Sequence, residues 1–127
     1  MNVEKVVSRL KRECPGKTII LNPPENPTEI VCETRPAQSS EDVGVAIAVI
    51  DDSNPHYHRK ATEIYEVLKG NLSITINGKE HKLKEGEKIT IEPGKIHFAK
   101  GNETWVSCLS KPGWKLEDHI LVKQFTI

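Results

Sequence analysis

The sequence lacks an excess of charge of either sign: 18 Lys and Arg balance 18 Asp and Glu over 127 residues. A nucleic-acid binder needs a basic excess or a basic stripe, and neither is present. No run of like charge marks a membrane-surface patch. Long hydrophobic runs are also missing. The longest apolar stretch, Val43–Ile50, contains a Gly and is far too short to cross a bilayer. The opening segment MNVEKVVSRLKREC is too charged for a secretory signal, so the expected compartment is the cytoplasm. Cysteine is scarce. Cys14, Cys32 and Cys108 are odd in number, far apart and without a CxxC, which argues against a disulfide scaffold or a thiolate zinc site. Aromatic residues make up 5% and hydrophobic residues 36% of the chain, a lean supply that still suffices for one domain of this length.

What is present begins with an apolar stripe. Val3, Val6, Val7 and Leu10 recur at helical spacing, which predicts a helix over residues 2–13 with Asn2 as N-cap and Pro15-Gly16 as its stop. The stripe should pack on the rest of the domain or on a second copy. After Gly16 the helical period does not return. Short β-prone runs follow at Thr18–Leu21, Glu29–Arg35, Val43–Ile50, Thr62–Leu68, Leu72–Ile76, Glu80–Leu83, Lys88–Ile91, Ile96–Lys100, Thr104–Ser110 and Ile120–Thr126. The proline-rich stretch Asn22–Thr28 and the polar stretch Pro36–Asp42 read as loops, and Asn77-Gly78 is a strong hairpin signal. Many short strands with turns between them predict an all-β antiparallel sandwich or barrel.

The chemically informative segment is His56-Tyr57-His58, with Glu63 opening the next strand. Strand alternation projects His56 and His58 to the same side, where two imidazoles can share one metal, and Glu63 offers a carboxylate. His97 follows the Pro93-Gly94 turn about 35 residues later. An isolated HxH pair is weak evidence for a metal, but its spacing to the other candidates is informative.

The run His56, His58, Glu63, Gly70 resembles the first motif of the cupin superfamily, and Gly86, Gly94, His97 resembles the second. Two details depart from the pattern. The proline stands one place late, at Pro93 with Glu92 in its usual slot, and the Asn that often follows the His also comes one residue late, at Asn102. The wording HRKATEIYEVLKG is similar to germin-type and other single-domain cupins. The resemblance covers roughly residues 43–110. It implies a cupin-type antiparallel β-barrel or jelly roll of two sheets with a short N-terminal helix. Residues 1–127 would form one domain, with the barrel over about 17–127. It further implies that His56, His58, Glu63 and His97 bind one divalent transition metal. Three imidazoles and a carboxylate suit Fe, Mn, Ni, Co, Cu or Zn. A homodimer is the expected assembly, with a small-molecule ligand and neither nucleic acid nor membrane as partner.

Tyr65 lies two residues beyond Glu63 and should share its inward face, with Val67. It is the candidate catalytic residue, since a Tyr at this offset serves as a base in some cupin lyases. A metal or Arg59 could lower its pKa. Tyr57 should face away and pack. Arg59 and Lys60 could hold an anionic substrate or be solvated. His81 should be exposed and Cys108 a buried, inert thiol. Trp105 should serve the core or a dimer interface, and Trp114 should cover an open barrel end. Glu117, Asp118 and His119 read as surface charges.

The residues leave the reaction open. A metal-dependent dioxygenase, isomerase or lyase acting on a small polar or carboxylated molecule is the favoured reading. A non-enzymatic small-molecule or sugar binder is the alternative, and an accessory or sensor module comes third.

Overall fold

The structure is a computed structural model, and it describes residues 1–38 and 42–122. The expected helix is present as α1, Val3–Glu13, and the Asn2 side chain accepts from the Lys5 backbone N–H as its cap. The strands are β1 (Thr18–Asn22), β2 (Glu29–Arg35), β3 (Gly44–Asp52), β4 (His56–Tyr57), β5 (Thr62–Lys69), β6 (Leu72–Ile76), β7 (Lys79–Leu83), β8 (Lys88–Ile91), β9 (His97–Lys111) and β10 (Ile120–Leu121). All pair antiparallel in one curled sheet that wraps into a cupin-type half-barrel.

One expectation is corrected. Ile96–Lys100 and Thr104–Ser110 read as two strands, yet β9 runs unbroken from His97 to Lys111. The residues between them form a bulge: Ile50 pairs with Thr104 and Asp52 with Lys100, so the extra residues lie on β9. Asp51 stabilises the bulge by accepting the Glu103 backbone N–H at 2.7 Å. Gly101 is required there, because a Cβ would sit 2.8 Å from the Ile50 carbonyl oxygen. The bulge re-aims one edge of β9, which pairs with β6 before it and β5 after it, while β3 follows the other edge from Lys100 to Ser110. β9 thereby becomes the spine of the barrel.

β3 is buried on both faces, as its apolar run implies. Ala48 and Ile50 point into the barrel with Val67, Ile74 and Val106, while Val49 points outward. Outside, Val49, Ile30, Cys32 and Trp105 form a second core beneath α1, whose Val6 and Leu10 are fully buried in it. The Arg9 guanidinium lies 4.8 Å from the Trp105 ring centroid. The helical stripe and Trp105 are therefore consumed within the chain. The hairpin at Asn77-Gly78 has positive φ at both residues, the conformation that favours Asn-Gly. His81, expected on the surface, is half-buried opposite Ile74. β10 is shorter than the expected Ile120–Thr126, of which residues 123–126 lie outside the described part. No helix among the described residues is long and apolar enough to cross a membrane.

Candidate metal centre

Sheet register brings the two sequence motifs together. His56 on β4 pairs directly with His97, the first residue of β9. The Pro93-Gly94 turn docks on the same place, with the Gly94 N–H donating to the His58 carbonyl at 2.7 Å. Glu63 enters from β5, whose burial alternates so that Glu63, Tyr65 and Val67 all face inward. Tyr57, between the two histidines, is only half-buried.

The ligand atoms of His56, His58, Glu63 and His97 all lie within 4.8 Å of one another, and all four side chains are buried. Each histidine is held by its other ring nitrogen. Nδ1 of His56 meets the Asn54 carbonyl at 2.8 Å, Nδ1 of His58 the Asp118 carbonyl at 3.0 Å, and Nδ1 of His97 the Lys95 carbonyl at 2.9 Å. A carbonyl only accepts, so each Nδ1 carries the proton and each neutral ring turns an Nε2 lone pair toward the cluster. This outer hydrogen bond is the arrangement that fixes metal-ligating histidines.

Inside the cluster, polar atoms are close but unsatisfied. Nε2 of His58 and of His97 stand 3.0 and 3.3 Å from the same Glu63 Oε1. None of these three atoms makes a hydrogen bond of acceptable geometry. Lone pairs and a carboxylate crowded together in a buried site require a positive charge between them, either a proton or a metal cation. The residues therefore fit one divalent ion, and the group could hold a metal.

Electrostatics follow from this crowding. Burial holds the His56 pKa down to about 3, assisted by His97. Burial opposes ionisation of Glu63, but the neighbouring His58 and His97, which favour its charged form, prevail and take it down to about 2. For His58, burial is outweighed by the adjacent Glu63, and the pKa rises.

The cluster borders a cavity of about 440 Å³. His56, His58, Glu63, Tyr65 and Cys108 line it on one side, and Ile20, Val31, Ala46, Trp114 and Leu116 make apolar walls. Tyr65 is 7% exposed, with its ring centroid 6.3 Å from that of His97. Burial pushes its phenol well above the ordinary value, so it is held as the neutral acid. Arg59 does not offset this, because Arg59 and Lys60 are exposed and line a separate outer cleft with Lys115. Cys108, expected to be buried, is half-buried on the cavity wall, and its desolvation there raises the thiol and keeps it protonated.

Two residues read as surface charges belong to the site. Asp118 ends a single 3-10 turn, Leu116–Asp118. Its carboxylate accepts the backbone N–H groups of Arg59, Lys60 and Ala61 at 2.9, 3.0 and 3.1 Å, and its own carbonyl orients His58. His119 stacks on His56 with ring centroids 4.2 Å apart, and Trp114 Nε1–H donates to its Nδ1 at 3.0 Å. Glu117 is exposed as expected. No local signal marks Asp118 or His119, which reach the motif from some 60 residues away. A third residue, Glu29, also lines the cavity. Alternation along β2 sets it opposite Ile30 and Cys32, but which of the two faces is inward depends on the packing of α1.

Comparisons with known proteins agree with this architecture. The cupin-domain family model matches residues 45–107, which takes in both motifs. The chain belongs to the cupin superfamily. Its fold is similar to that of Streptomyces Pac13, a nucleoside dehydratase, at 12% identity and a TM-score of 0.73, covering 89% of this chain and 90% of that one. It is also similar to KdgF from Halomonas sp., at 18% identity and a TM-score of 0.63, over 70% of this chain and 84% of that one. An uncharacterised protein of Aquifex aeolicus (strain VF5) is 41% identical over 44 residues, 35% of this chain and 36% of that protein's length.

Proposed function

We propose that this cupin is a metal-dependent enzyme acting on a small polar molecule bound in the barrel cavity. The observation that carries the reading is the convergence of three Nδ1-anchored histidines and Glu63 beside a cavity of substrate size. A divalent ion held by His56, His58, Glu63 and His97 would supply Lewis-acid polarisation of a coordinated oxygen. The chain's own residues do the rest. The apolar walls exclude water around the ligand. Tyr65, held as a neutral phenol, donates a hydrogen bond or a proton to a ligand in the cavity. Pac13 and KdgF share the fold only, so the reaction type is not carried over from them.

The test is metal analysis of protein purified without added metal, followed by reloading. About one transition-metal ion per chain in the wild type, and its loss in His97→Ala with the fold retained by circular dichroism, supports the reading. Wild-type protein that takes up no metal on reloading refutes it.

A non-enzymatic binder is the second reading. It is favoured by the buried phenol of Tyr65, which is a poor base at neutral pH. A metal-loaded protein that binds small polyols and leaves them unchanged would establish it.

A further inference from the structure

β2 has two unlike faces. Ile30 and Cys32 are fully buried under α1, whereas Glu29, Val31, Glu33 and Arg35 line the cavity. Arg35 is committed to Asp42 at 3.3 Å and to the Val43 carbonyl at 2.8 Å. Glu29 has no ion-pair partner among the described residues. A carboxyl on a largely apolar cavity wall, with no cation to neutralise it, is costly to keep ionised. Protonated, it both donates and accepts a hydrogen bond; ionised, it only accepts.

We propose that Glu29 is a specificity-determining residue of the cavity: its carboxyl faces the bound molecule and selects a hydroxyl-bearing, uncharged group over an anion. The inference rests on the metal reading above and deepens it by naming the ligand class. The groups around Glu29 support it. Asn22 on β1 lies beside it, and β3 offers the cavity wall alanines. From β5 it faces the charge of Glu63 and the phenol of Tyr65; from β9, His97 and the Cys108 thiol. Its own strand adds Glu33. Burial, reinforced by Glu63 and opposed by Asn22 and His97, raises its pKa to about 7. In the metal-free protein the carboxyl therefore passes from neutral to a repelling charge around neutrality. An anion entering the cavity meets that charge, whereas a sugar-like or other polyol hydroxyl meets a hydrogen-bond partner in either state.

Azide binding to the Co(II)-loaded protein tests this, because azide stays anionic between pH 6 and 8 and perturbs the visible spectrum of the cobalt. In the wild type, azide affinity should fall between pH 6 and 8 by about tenfold more than in Glu29→Gln, whose side chain keeps the shape and cannot ionise. Glu33→Gln, on the same face of β2, should keep the wild-type profile. Parallel profiles for wild type and Glu29→Gln overturn the inference while leaving the metal reading intact. A wild type with no cobalt spectrum overturns both. Should Glu29→Gln fold poorly, Glu29→Asp replaces it: a shorter carboxyl keeps a pH-dependent loss of azide affinity, and a flat profile counts against the proposal.

Discussion

Asp118→Ala separates the holding of ligands from the holding of the fold. The Asp118 carboxylate takes three backbone N–H groups in the loop that links His58 to Glu63, two of the four cluster residues. A hydrogen bond to a charged group contributes about 1.5–3 kcal/mol when its partner is otherwise lost. The N–H groups of Arg59 and Lys60 belong to exposed residues and regain water on truncation, whereas Ala61 is 2% exposed and does not. The total cost should therefore be about 2–3 kcal/mol, close to one buried bond, and the melting temperature should drop by roughly 6–12 °C. The loop also sets the direction of His58 and Glu63. Loss of such an outer partner weakens metal binding by about 10–100-fold. Chelator competition at 20 °C, far below the transition, reads that affinity without interference from unfolding. Glu117→Ala, exposed on the same turn, is the control and should change neither quantity. A melting temperature that falls while metal affinity stays at the wild-type value would refute the reasoning, leaving Asp118 as a loop clip with no bearing on the cluster.

The metal-free protein should lose stability as pH falls from about 6.5 toward 3. His56 keeps its pKa near 3 when folded, so the unfolded chain takes a proton that the folded one refuses; His58, whose pKa is raised, offsets part of this loss, and Glu63 adds a further loss below about 4.5. Glu29 acts with the opposite sign: its raised pKa costs stability as pH climbs from about 4.5 through 7, and Glu29→Gln should remove that part of a thermal-melt pH series. Ile74→Ala, at a site with no exposure, should cost about 2–5 kcal/mol in urea unfolding, with metal stoichiometry unchanged in the folded protein. Tyr65→Phe should retain metal and fold; once a turnover assay exists, it should lower the rate by about 10²–10⁴ if the phenol carries the proton, and only a few-fold if it does not.

Much of the barrel is legible in the sequence because strand and helix periodicities are local. The stripe Val3, Val6, Val7, Leu10 and the Asn2 cap announce α1, and Asn77-Gly78 announces its hairpin, since both signals depend on neighbours within one or two turns of chain. The spacing of His56, His58, Glu63 and His97 is likewise a property of the chain, and the structure brings those four side chains together. Continuity of β9 was not legible. Gly101-Asn102-Glu103 reads as a turn, and only pairing with β3 across the bulge keeps it a strand. The identity of the inward face of β2 was not legible either: alternation says that Glu29 and Ile30 point opposite ways, but α1 packing on Ile30 decides which points into the cavity. Asp118 and His119 carry no motif. They join the cluster because the chain after β9 folds back over the cavity mouth and β10 pairs with β4. Local periodicity thus determined the elements and the candidate ligands. Long-range pairing, whose free energy depends on surfaces distant in sequence, decided what surrounds them.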